Sequence, residues 1–162
     1  MRRRLLLWGS CLLALLLIGC APKADVFAPF RAEYFAEVSG ELYGMAFSAT
    51  VEMAKDKGTG ARASTVTFYA PDLLSGTTVR RSESGEITVS SGGLAIPDAG
   101  GIGAALFSLF PIAGEITEST LTDEGYTRVC GDSFTLILLS DGTPYEIQTA
   151  AVHARVVRWE QK

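Results

Sequence analysis

Apolar and polar residues alternate along most of the chain beyond residue 30. Between residues 34 and 42 every second side chain is small or apolar, and the same alternation continues between residues 45 and 53. Because successive side chains of a strand point to opposite faces of a sheet, this period of two predicts half-buried antiparallel strands. The pattern recurs in about ten segments separated by turns rich in Gly, Asp and Ser, so the fold is predicted to be mainly β.

One segment breaks the alternation and has helical character. Residues 101–110 carry clustered Leu and Phe side chains at their C-terminal end, and Pro111 ends the segment. The predicted strands also have one apolar face that needs a cover. We therefore expect a strongly curved antiparallel sheet or barrel of about ten strands, with this short apolar helix as the candidate cover of its concave face.

The N-terminus has the composition of a signal peptide. Three arginines at positions 2–4 precede an apolar run over residues 5–18. A helix of that length would span about 21 Å, which is short of the roughly 30 Å of a bilayer's hydrocarbon core. Cleavage is therefore favoured over a permanent transmembrane anchor.

The apolar run ends in Leu17-Ile18-Gly19-Cys20, which resembles the lipobox of bacterial lipoproteins. In that family the cysteine thiol receives the lipid and the cysteine becomes the new N-terminus. The resemblance implies a lipoprotein signal peptide over residues 1–19, lipid attachment at Cys20 and a lipidated tether over residues 20–30. An ordinary secretory leader with a coincidental cysteine is the alternative.

Removing the predicted leader changes the charge balance. The whole chain has 14 basic and 18 acidic residues and a net charge of −4. All 18 acidic residues lie beyond residue 19, and three of the basic ones do not, so the remaining domain is more acidic, with a net charge of −7. We therefore expect no nucleic-acid partner. The lipid on Cys20 would hold the domain at the outer face of the plasma membrane, or at the outer membrane of a cell that has two.

Residues that could carry catalysis are few. His153 is the single histidine, and no Gly-x-Ser-x-Gly motif occurs. Cys130 would be the one free thiol of the exported domain and is predicted to be a small buried hydrophobe. Gly101-Ile102-Gly103 lacks the βαβ context of a dinucleotide site, and no metal-ligand spacing is present. The sequence therefore predicts neither an enzyme nor a metal or cofactor site.

Three segments carry a likeness to a known family. They are the strand and turn over residues 66–76, the apolar helix that ends in Leu109-Phe110-Pro111, and the hairpin over residues 138–147 with its Asp-Gly-Thr-Pro turn. In these segments the chain resembles the outer-membrane lipoprotein carrier and receptor family (LolA/LolB-like). The resemblance implies that residues 31–162 form a half-barrel domain with a cavity for acyl chains.

The apolar face of the predicted sheet supplies the candidate ligand contacts. Met and Phe side chains adapt to acyl chains of varied shape. The predicted ligand-binding residues are Met45, Phe47, Val51, Met53, Val66, Phe68, Leu106 and Phe110. The alternative is that they pack against each other as a closed core. The two corresponding functions are a membrane-anchored lipoprotein that binds or carries a lipid or other apolar ligand, and a structural or adaptor lipoprotein that docks an envelope protein partner.

Overall fold

The computed structural model describes residues 25–55, 62–98, 101–111 and 114–162. In these ranges the chain forms two short helices, α1 (Ala28–Arg31) and α2 (Ile102–Phe107), and eleven strands. The strands are β1 (Tyr34–Leu42), β2 (Met45–Lys55), β3 (Arg62–Ala70), β4 (Thr78–Arg81), β5 (Ile87–Ser91), β6 (Leu94–Pro97), β7 (Ile116–Leu121), β8 (Thr127–Gly131), β9 (Phe134–Leu138), β10 (Pro144–Thr149) and β11 (Val152–Gln161). Within the described ranges, neither helix has the length and apolar character needed to cross a bilayer.

All of these strands belong to one antiparallel sheet with the order β6-β5-β4-β3-β2-β1-β11-β10-β9-β8-β7. The first strand lies in the middle and pairs with both β2 and β11, so the two halves of the chain wind outward to the edges β6 and β7. The sheet is curved and does not close. The predicted half-barrel with a short helix is therefore confirmed.

The alternation of apolar and polar residues in the sequence matches the alternation of buried and exposed side chains on the central strands. On β1 the side chains of Tyr34, Ala36, Val38 and Leu42 are buried, and the residues between them are half-buried or exposed. The buried faces of the strands and the apolar side of α2 form one core on the concave face. Each fully buried large apolar side chain contributes about 1.5–3 kcal/mol to folding, so this face supplies most of the stability.

A bulge in β11 interrupts the alternation. Glu37 of β1 is opposite Arg158, but the next residue, Val38, is opposite Val156. Val157 is therefore the extra residue of the bulge, and it is 64% exposed. Because the extra residue reverses the inward and outward positions, Trp159 turns onto the concave face.

Three boundaries differ from the sequence-based predictions. Strand β6 lies in a stretch predicted to be a Gly- and Ala-rich loop; all four of its residues are exposed, and as an edge strand it tolerates Pro97. The helix is shorter than predicted, because residues 108–110 continue as a turn. The packed domain also begins earlier, since Phe27 and Phe30 of the predicted tether are buried in the core.

Two further predictions concern Cys130 and the turn after β2. Cys130 is half-buried rather than buried, because its neighbour on β8, Val129, takes the inward position. The sequence Lys-Asp-Lys-Gly-Thr-Gly at residues 55–60 predicts a hairpin turn after β2, and all of it beyond Lys55 lies outside the described ranges, as do the predicted leader and Cys20.

Candidate functional site

Seven of the eight predicted ligand-binding residues lie in the core on the concave face. The exception is Met45, which starts β2 at the rim of the sheet and is 42% exposed. Phe47 and Phe68 meet edge to face with 5.8 Å between their ring centroids, on neighbouring strands. The structure therefore brings most of the predicted set together, but with their side chains packed against each other.

The centre of the concave face is covered by α2 and the turn after it. Leu106, Phe107, Leu109 and Phe110 are all buried there. The ring of Phe110 lies 5.9 Å from that of Tyr34 and 6.2 Å from that of Phe30. In this conformation the middle of the half-barrel is a filled core, with α2 as the layer between the sheet and solvent.

The side chain of Asp98 holds the start of α2 in place. The carboxylate of Asp98 accepts hydrogen bonds from the backbone N–H groups of Gly101 at 3.1 Å and Ala104 at 3.2 Å. Gly103 lets the helix approach the sheet closely, since a Cβ there would lie 2.5 Å from Ile87 and 2.9 Å from Val79. The sequence predicts a loop leading into the helix at this Gly-rich segment, but Ile102 and Gly103 belong to the helix itself and serve its packing.

An open cleft of about 390 Å³ lies at one end of this core. Phe30 and Met53 form its apolar surface, and Ser64, which is buried, donates a hydrogen bond to the sulfur of Met53 at 3.5 Å. The guanidinium groups of Arg31 and Arg62 lie at its rim and that of Arg81 lies deeper. We call this space the arginine cleft.

Arg81 is the residue that sequence reasoning missed. It takes an inward position on β4, two residues beyond the buried Val79, and its guanidinium lies 4.7 Å from the centre of the Phe107 ring. Partial burial lowers the pKa of Arg81, and the nearby Tyr34 hydroxyl partly opposes that shift. Burial likewise raises the pKa of Tyr34, which Arg81 partly opposes. A basic residue at an inward position of a strand is the one signal that the sequence contained.

A second cleft of about 390 Å³ lies on the other side of Arg81. Its surface includes Phe110 and Phe134, but also the carboxylates of Glu115 and Asp132. Arg81 contributes to both clefts, with Phe107 beside it in this one, so Arg81 forms part of the wall between an apolar, basic space and a more acidic one.

His153 lies on the opposite, convex face. Its Nε2 atom is 2.9 Å from Oε1 of Glu146, and Arg155 lies on the other oxygen of that carboxylate at 3.9 Å. The histidine is exposed and forms part of a polar surface cluster. Across the described part of the chain, no group of three His, Cys, Asp or Glu residues is arranged to hold a metal ion.

These features define a half-barrel with one unclosed antiparallel sheet and short helices on its concave face, which is the fold expected from the resemblance noted in the sequence. An uncharacterized conserved protein from Thermus thermophilus shares the fold with a TM-score of 0.54 and 16% identity, over 85% of this chain and 84% of that one. MucB aligns with a TM-score of 0.50 and 14% identity, over 88% of this chain. The chain spans about 60% of the length of MucB.

A LolA superfamily protein from Nitrosomonas europaea also aligns, with 10% identity over 83% of this chain and 87% of that one. Its TM-score of 0.37 is too low to support an argument. No family model matches the sequence, and no curated protein is significantly similar to it. The comparisons therefore define the fold.

Proposed function

We propose that this chain is an exported lipoprotein, attached to a membrane through lipid on Cys20, that binds or carries a lipid or other apolar ligand without catalysis. The observation that carries the proposal is the cover of the concave face. Among the described residues, the apolar side of the sheet is covered by helices of four and six residues, where most domains use a full second layer.

Opening that cover would create a ligand surface. Displacing α2 would expose inward side chains of β4 and β5, such as Val79, and this surface continues across the sheet to Val66 of β3 and Val51 of β2. Such a continuous apolar surface suits acyl chains. The arginine cleft is the place where this surface already reaches solvent, since Met53 lies on the same face of β2 as Val51.

The position of the core relative to Cys20 fits a membrane-derived ligand. Among the described residues, Phe27 is the first that is buried in the core, and six residues separate it from Cys20. A fully extended chain of six residues reaches about 20 Å, so lipid on Cys20 would keep the domain close to the bilayer surface. We propose the outer face of the plasma membrane, or the outer membrane in a cell that has two, as its location.

The ligand is tested on the full chain carrying Cys20→Ser, so that attached lipid does not interfere. Native mass spectrometry should find a co-purified lipid, and a neutral fluorescent probe such as N-phenyl-1-naphthylamine should bind saturably. Absence of both would overturn the ligand-binding proposal. The anchor is tested separately: the unsubstituted chain should fractionate with membranes and carry an acylated N-terminal cysteine, and Cys20→Ser should release it.

An adaptor function is the second candidate, and the free edges of the sheet favour it. Strand β6 exposes Leu94 and Ile96, and β7, at the other edge, exposes Leu121. Edge strands with unpaired backbone groups can accept a strand from a partner protein. Crosslinking in native envelopes would favour this function if it captured one stoichiometric protein partner while the purified chain bound no lipid.

A further inference from the structure

We propose that the arginine cleft binds the anionic head of a single-chain amphiphile, with a carboxylate or phosphate on Arg81 and Arg62 and the adjoining methylenes on Phe30 and Met53. The inference rests on the proposed function and deepens it, because it names the class of ligand and the end of the half-barrel that recognises it.

The size and surface of the cleft favour a ligand with one alkyl chain over a ligand with several. Its volume of about 390 Å³ lies near the lower end of the roughly 300–1,000 Å³ that is usual for small-molecule sites. Phe30 and Met53 supply the apolar contact, and Met53 leads directly onto the buried face of β2. A chain entering along these two side chains would point toward the space that α2 covers.

The charges of the cleft favour an anion. Three arginines contribute to it against one carboxylate, that of Glu83, although the exported domain as a whole is acidic. Arg31 is paired with Asp25 at 2.7 Å, and Arg62 donates to the carbonyl oxygen of Arg31 at 2.8 Å.

Arg81 is the main group left to recognise the ligand, and Arg62, which reaches the Arg31 carbonyl oxygen through Nη1 alone, adds its other N–H groups at the rim. Its guanidinium packs on Phe107, and no carboxylate of the described residues lies within ion-pair distance of it. A guanidinium binds a carboxylate or a phosphate through two parallel hydrogen bonds, and partial burial strengthens that contact.

Comparison with the second cleft shows on which side of Arg81 an anion would bind. The second cleft also contains Arg81, but Glu115 and Asp132 would repel an anion there. An anionic head is therefore directed to the side of Phe30 and Met53. Phe30 on that side is only ten residues from Cys20, which favours an amphiphile supplied by the membrane.

The test compares ligands that share a ten-carbon alkyl chain but differ in their head group. The protein is the full polypeptide carrying Cys20→Ser. Decanoate, decyl phosphate, 1-decanol and inorganic phosphate are titrated at pH 7.5 against the bound neutral probe and by calorimetry. We expect decanoate and decyl phosphate to bind more tightly than decanol, and inorganic phosphate alone to bind far more weakly. Arg81→Gln should weaken binding of both anionic amphiphiles by about tenfold or more and change decanol binding less than about twofold.

Arg80→Gln is the matched control. It removes the same charge from the adjacent residue of β4, but on the opposite, exposed face, and should leave all four affinities unchanged. Arg62→Gln at the exposed rim of the cleft should weaken the anionic ligands in the same direction as Arg81→Gln. This second variant keeps the test decisive if Arg81→Gln unfolds, which circular dichroism and thermal melting would reveal.

The outcomes separate the two proposals. If the neutral probe and decanol bind but the arginine variants leave every affinity unchanged, the anionic-head inference is overturned while the ligand-binding function stands. If inorganic phosphate binds as tightly as decyl phosphate, the cleft is a plain anion site and the proposal of an amphiphilic ligand is overturned. If nothing binds, both proposals fail.

Discussion

The indole of Trp159 stacks on the phenol ring of Tyr34, with 4.5 Å between the ring centroids and 20° between the ring planes. The two residues belong to β11 and β1, at opposite ends of the domain sequence. They meet because the bulge at Val157 turns Trp159 inward, and Phe30 then packs edge-on against the same indole at 5.8 Å. The bulge therefore joins the N-terminal segment, the central strands and the end of the chain in one aromatic cluster beside the arginine cleft.

Trp159→Ala should destabilise the domain by about 3 kcal/mol, since it removes a large side chain from this cluster and leaves a cavity. Urea denaturation followed by circular dichroism measures the loss. Val157→Ala, in the exposed bulge residue two positions away, is the control and should change stability by less than about 0.5 kcal/mol. Equal effects of the two substitutions would contradict the inward assignment of Trp159.

Gly40→Ala should prevent β1 and β11 from pairing normally. A Cβ at this position would lie 2.0 Å from the carbonyl oxygen of His153 and 2.6 Å from Cα of Ala154, both backbone atoms that cannot move alone. We expect a loss of about 3 kcal/mol or more, measured by denaturation, because the strands must separate to admit the methyl group. Glu41→Ala, one residue later and exposed, should be tolerated. Normal stability of Gly40→Ala would show that the strands are less closely paired than described.

Asp98→Ala should loosen α2 and make the concave face easier to enter. It removes the acceptor for the backbone N–H groups of Gly101 and Ala104, at a cost of about 1 kcal/mol. If α2 is the cover of the ligand surface, the neutral probe should bind faster or more tightly to this variant.

Asp141→Ala is the control for that experiment. It also removes a side-chain hydrogen bond to a backbone N–H, that of Thr143 at 2.9 Å, but in the turn between β9 and β10. It should leave probe binding unchanged. If both substitutions affect the probe alike, general destabilisation rather than movement of α2 explains the result.

Asp141 also gives a pH dependence of stability. The hydrogen bond from the Thr143 backbone N–H holds the pKa of Asp141 below its ordinary value. A carboxyl group with a depressed folded-state pKa stabilises the fold fully above its unfolded pKa of about 3.9, and the contribution disappears as pH falls through the folded value.

The difference in Tm between the unsubstituted chain and Asp141→Asn measures that contribution. It should be constant from about pH 5 to pH 8 and should shrink below about pH 4. Asp123→Asn, in the turn between β7 and β8, is the comparison. A difference for Asp141→Asn that stays constant down to about pH 2 would contradict the assignment.

Much of the fold could be predicted because alternation is a local property. On β1 and β2 the inward and outward positions follow directly from the residue types, and Pro111 and the preceding Leu and Phe side chains mark the helical segment. The short exposed strand β6 could not be predicted in this way, because backbone pairing with β5 and not an apolar face holds it in the sheet.

The candidate site was predictable only in part. The residues of the apolar face were identified by type and parity, and the three-dimensional structure added that α2 covers them. Met45 is exposed because it lies at the rim, where the sheet provides no neighbour to bury it. The alternation of a strand shows which face a residue lies on, but not how far that residue is from the rim.

The sequence by itself determined that this protein is a β-rich domain with one apolar face, one short apolar helix and an N-terminal segment typical of a lipoprotein leader. Each of those conclusions depends on neighbouring residues. Only the tertiary structure decided that Trp159 turns inward and that Arg81 lies with Phe30 and Met53 in an open cleft. Those relationships depend on strand register and on the curvature of the whole sheet, which bring together residues that are far apart in the chain.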